Sequence, residues 1–221
     1  MTNDGFVLFA ILLIALSAVL ELKSNYVRAA VSSFGKSRYL GYVGWVQYQA
    51  RLLIMAAVSL VTVVFEARGF LDIQVFVLFS TGVSLILMFG YFYSRKFAAL
   101  FDRLDRPLSI LNYREESANC YWRPMSFGRA QYIYFPFIVY FLLGVSVYVP
   151  FVLAAEFPKF RMTFAISGQL LNFFATVLMI SVIEPRYLAR VDRGDEADVA
   201  CGMVLGRILA ALAIFSCGWL L

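Results

Sequence analysis

The sequence predicts an all-α, polytopic membrane protein with six transmembrane helices. Three observations carry this. Of 221 residues, 62% are hydrophobic, against about half in soluble domains. The mean hydropathy is +0.79. The apolar residues fall in six long runs, most of them long enough to cross a hydrocarbon core of about 30 Å at about 1.5 Å per helical residue.

The runs cover residues 5–22, 40–65, 70–93, 131–153, 162–183 and 199–221. The first is the shortest. Its N-terminal flank is Asp4, not lysine, and no small-residue cleavage site follows, so it reads as a mature helix and not a signal peptide. The second opens "VQYQARLLIM" (Val46–Met55), with Gln47, Gln49 and Arg51 inside an otherwise lipid-soluble segment. The fourth contains Pro136 and Pro150, which free carbonyls and allow kinks. The fifth carries Gln169, Asn172 and Thr176 at helical spacing. The sixth carries Gly202 and Gly206, a GxxxG that permits close helix approach, directly before Arg207.

The spans form one transmembrane domain over 1–221. Residues 94–130 make a long loop. Within it Phe97, Leu100, Phe101, Leu104, Leu108 and Leu111 share a face, and Asp102, Arg103, Asp105 and Arg106 take the other. That pattern predicts an amphipathic helix on the membrane surface, interrupted by Pro107. Fourteen Lys and Arg lie in 23–39, 94–130 and 184–198; only Arg68, Lys159 and Arg161 lie on the opposite side. The positive-inside rule makes the first set cytoplasmic and both termini periplasmic.

Composition also excludes chemistry. There is no histidine, which removes His-based zinc sites and Ser/His nucleophile pairs. The three cysteines form no CxxC and no even framework. The net charge of +5 sits between apolar runs, so it reads as topology signal and headgroup contact rather than nucleic-acid binding. "DRGDEAD" (Asp192–Asp198) supplies four acids but reads as a solvated connector. Neither a metal, a cofactor nor a catalytic residue is expected.

Three spans precede the long loop and three follow, so any internal repeat must be inverted. Span two has Gln49 and ends "FEAR"; span five has Gln169 and ends "IEPR". Inverted repeats place substrate sites at their interface. Counted from the cytoplasmic ends of their spans, Arg51 lies about 16 Å and Arg207 about 12 Å deep. Each costs about 2.5–3.5 kcal/mol to insert, unless its head snorkels to the interface. One reading is a cationic cavity for an anion, since guanidinium suits phosphate and pyrophosphate. The other is ion pairing with Glu21 and Glu184, which end spans one and five on the same side. Likewise Gln169 and Asn172 read either as lining of a polar path or as interhelical glue.

The segment "FPKFRMTFAISGQLLNFFATVLMISVIEPRYLARVD" (Phe157–Asp192) with "LGRILAAL" (Leu205–Leu212) resembles the Amj family of alternate lipid II flippases of bacteria. Pro158, Phe160, Arg161, Thr163, Ser167, Gly168, Asn172, Ala175, Thr176, Pro185 and Asp192 carry the resemblance, with Gly206 and Arg207 as a late G-R pair. Glu184 stands where that family's pattern has aspartate. "NYVRAAVSSFGKSR" (Asn25–Arg38) and Arg51 resemble its N-terminal half more loosely, and Ala50 stands where a serine is expected. The resemblance implies a bacterial inner-membrane flippase. Its cargo would be an undecaprenyl-pyrophosphate-linked glycolipid, lipid II, a peptidoglycan precursor. Arg51, Arg207 and Arg28 would bind the pyrophosphate. Gln49, Gln169 and Asn172 would line the headgroup path, and Arg161 and Glu184 complete the expected substrate-binding set. A homodimer would enlarge a cavity that six spans make small. The alternatives are a flippase for a different undecaprenyl-linked cargo, or a membrane scaffold for an envelope-polymer synthase.

Overall fold

The structure, a computed structural model, describes residues 3–34, 36–68, 72–93, 130–191 and 196–220. The described residues are helical apart from short turns, and six helices are long and apolar enough to cross a membrane. The helices are α1 (Asn3–Phe34), α2 (Lys36–Arg68), α3 (Ile73–Tyr93), α4 (Ala130–Glu156), α5 (Arg161–Leu178), α6 (Glu184–Val191) and α7 (Glu196–Gly218). A 3₁₀ turn over Pro158–Phe160 joins α4 to α5, and a π-helical segment over Met179–Ile183 joins α5 to α6. The long loop with its expected amphipathic helix, and Cys120 within it, lies outside the described residues.

Several boundaries differ from the sequence reading. Residues 23–34 are helix rather than loop, because no glycine or proline occurs between Phe6 and Gly35 to stop α1. Lys23, counted above among loop residues, is therefore inside the bundle and almost wholly buried. Likewise residues 184–191 continue span five as α6, and α7 starts at Glu196. The start of α3 is fixed locally. Asp72 caps it, its carboxylate accepting from Val75 N–H at 3.0 Å.

Packing follows a simple order. α1 packs against α2, α3 and α7, and α4 packs against α5 and α7. Thus the first helix of each triplet holds the other two. One apolar cluster joins α1, α2 and α3 to Tyr148 and Phe151 of α4 and Ile214 of α7. A second joins α1, α3 and α7. A third joins α4, α5 and α7 through the π segment.

Small residues set the closest approaches. A Cβ on Gly206 would stand 2.8 Å from Ile133 O and 2.9 Å from Phe137 N. On Gly202 it would stand 2.7 Å from Tyr132 O. The GxxxG of α7 therefore lies directly on the backbone of α4. At the other end of α4, a Cβ on Gly168 would meet Pro150 Cγ at 2.4 Å and Ser146 O at 2.8 Å. The two prolines explain which carbonyls are met. Proline has no N–H to give the residue four positions back, so Pro136 leaves Tyr132 O and Pro150 leaves Ser146 O without that helical donor. Each of these carbonyls faces a glycine of a neighbouring helix, where a Cα–H can approach it.

Candidate functional site

The predicted polar residues separate into two places. The first is interior, among α1, α4 and α7. α1 brings Ser17, Glu21, Ser24 and Asn25 to one side at helical spacing, and all four are buried. Arg207, the central residue of α7, reaches this stripe. Its Nη2 lies 2.7 Å from Glu21 Oε2, with both side chains about nine-tenths buried. The contact is between charges rather than an aligned hydrogen bond. Glu21 Oε2 and Arg207 Nε have no hydrogen-bond partner among the described residues. The guanidinium also lies over the Tyr140 ring, 4.9 Å from its centroid, a cation–π contact. The Tyr140 hydroxyl donates to Asn25 Oδ1 at 2.9 Å and accepts from its Nδ2 at 2.8 Å. A chain of polar contacts thus runs Glu21–Arg207–Tyr140–Asn25 through the bundle.

The second place lies between α2 and α5. Arg51, one residue from the centre of α2, donates from Nη1 to Asn172 Oδ1. α2 and α5 are not among the helix pairs that pack closely. They also bury the least of all the spans, 28% and 22% of their residues. So the hydrogen bond crosses a seam that side-chain packing does not close. Tyr48, Leu52 and Met55 of α2 and Leu170, Phe173 and Phe174 of α5 are exposed along these helices, as lipid-facing residues are.

The other predicted residues are distributed as follows. Gln49 is half-buried on α2 and Gln169 is exposed on α5. Glu184 is half-buried where the π segment ends. The side chains of Arg28 and Arg161 lie outside the described residues. The expected ion pairing of the arginines is met by Glu21 with Arg207; Arg51 takes an amide instead. Arg51 and Arg207 thus serve different helix contacts, and the sequence reading had grouped them.

Asn25 and Tyr140 were missed. The signal for Asn25 was available, since Glu21 and Asn25 stand four apart on α1 with Ser17 four before Glu21. Tyr140 carried none, being one of several aromatics in α4.

The π segment is explained by the residue that follows it. Glu184 N–H bonds to Met179 O, five residues back, and Pro185 comes next. A regular α-turn would drive the proline ring into the carbonyl four residues earlier, and the wider turn relieves it. Among the described residues no group of three His, Cys, Asp or Glu is placed to hold a metal. No family model, curated protein or solved structure matches the chain.

Proposed function

We propose that this protein is a flippase for a polyprenyl-pyrophosphate-linked glycolipid, lipid II being the cargo its resemblance to the Amj family implies. The single observation that carries the reading is the Arg51–Asn172 bond across the loosely packed α2–α5 seam. Asn172 Oδ1 is a neutral acceptor on a guanidinium. A pyrophosphate is a better one, because it adds opposite charge and can take the guanidinium fork with two oxygens at once. An anionic headgroup therefore competes with Asn172 for Arg51, and winning opens the seam. Gln169, three residues before Asn172, shares its face of α5 and would meet the sugar, and the polyprenyl tail stays in lipid beside the exposed faces of α2 and α5. In this reading the protein works in the bacterial inner membrane, with membrane lipids and the glycolipid as its partners. Arg207, with its charge met by Glu21, holds the bundle together.

A membrane scaffold for an envelope-polymer synthase is the second reading. The buried Glu21–Arg207–Tyr140–Asn25 chain favours it, since such a chain ties helices together and needs no cargo.

Complementation separates the two. In a strain depleted of its main lipid II flippase, the wild-type protein restores growth if it flips, and purified protein in vesicles exposes labelled lipid II to an outside reagent. A scaffold does neither.

A further inference from the structure

A third polar feature lies away from both places. An open groove of about 600 Å³ is lined by Ala130, Gln131, Tyr134 and Phe135 of α4 and by Arg186 of α6. Its depth in the membrane follows from the spans. Ala130 is the first residue of the fourth span, and Arg186 is the last residue of the fifth. The groove therefore sits where hydrocarbon gives way to headgroups. Tyr134 is 61% exposed there, in the manner of interfacial aromatics.

The groove has a fixed charge. Arg186 is exposed, and its guanidinium lies over the Phe135 ring, 4.6 Å from the centroid. Stacking orients the planar fork and leaves its edge donors free to point outward. Among the described residues that line the groove, Arg186 alone is charged. The Gln131 amide and Tyr134 hydroxyl add neutral donors. The volume lies within the range of small-molecule sites, and a guanidinium flanked by neutral donors suits an oxyanion.

We propose that this groove binds the phosphate of an anionic lipid in the leaflet at the basic end of the bundle. Arg186 makes a bidentate contact, Gln131 and Tyr134 flank it, and the acyl chains descend along α4. The site needs only that the protein be embedded in a membrane, and does not depend on what it transports.

The test is a lipid titration of delipidated protein in non-ionic detergent, read as the thermal unfolding midpoint. Phosphatidylglycerol should raise the midpoint saturably, and phosphatidylcholine should do so much more weakly. Arg186→Gln should weaken the apparent affinity for phosphatidylglycerol roughly tenfold or more, the effect of losing a charged hydrogen-bonding partner. Arg186→Lys should recover part of it. Lys159→Gln, which removes an exposed cation remote in sequence from the groove, should leave it unchanged. Inorganic phosphate at millimolar concentration should not displace the lipid. The site is refuted if Arg186→Gln binds phosphatidylglycerol as wild type does, or if Lys159→Gln is the variant that weakens binding. Equal binding of the two lipids, or displacement by inorganic phosphate, equally overturns it, because the ligand is then not an anionic lipid.

Discussion

Glu21 and Arg207 stand 2.7 Å apart in the interior of the bundle, and each is the other's main compensation. Removing one leaves a buried charge, which costs about 3–5 kcal/mol. Arg207→Met should therefore lower both abundance and the unfolding midpoint. Glu21→Gln with Arg207→Met should restore most of the loss, because two neutral side chains leave no orphan charge. A double mutant as unstable as the worse single mutant would show that the pair does not account for the loss. Arg51 should behave differently. Arg51→Ala removes one hydrogen bond from a charged donor, worth at most about 1.5–3 kcal/mol and less at a partly exposed seam, and it leaves no buried charge unpaired, so the protein should stay abundant while complementation is lost. Asn172→Asp is the sharper test. It turns the bond into an ion pair that a headgroup must break, so transport should fall while stability is kept or raised. Faster transport by Asn172→Asp would contradict competition for Arg51. Both arginines were visible in the sequence as charges inside apolar runs. Their separate fates were not, since partner choice depends on which helices touch.

Among helices, α4 and α7 meet through glycines that have no room for a side chain. Gly206→Ala places a Cβ within 3 Å of backbone atoms, which cannot retreat as a flexible side chain can. Such overpacking costs about 1–3 kcal/mol. Gly82 of α3 is the control. Its nearest new neighbour would be Phe215 Cε2 at 3.5 Å, an ordinary contact, so Gly82→Ala should be neutral or slightly stabilising through helix propensity. Thermal unfolding of the two variants side by side measures the difference. The GxxxG was readable from spacing alone, as were six spans from hydropathy. Helix ends were less so. Residues 23–34 and 184–191 are polar enough to look like loops, yet nothing in them breaks a helix except Pro185, and the π turn accommodates it. Hydropathy reports where lipid ends, whereas backbone chemistry decides where a helix ends.

For the molecule as a whole, the basic asymmetry predicts an orientation that reporter fusions can check. A periplasm-dependent phosphatase joined after Leu221 should be active, and a cytoplasm-dependent fluorophore there should be dark; the reverse would invert the topology. Moving Lys23 from loop to bundle reduces the basic excess by one and leaves its sign unchanged. α1 leads the packing of the first triplet and α4 that of the second, but which helix leads a triplet is a matter of contact and has no local sequence signature. The prolines of α4 bear on mechanics at this scale. At Pro136 and Pro150 that helix lacks the hydrogen bonds that would stiffen it, so it is a rod with two joints. α7 splints one joint through Gly202 and Gly206, and α5 splints the other through Gly168. The rigidity of α4 is thus on loan from its neighbours, and any displacement of α5 from it would let one end of the rod swing while the other stays clamped.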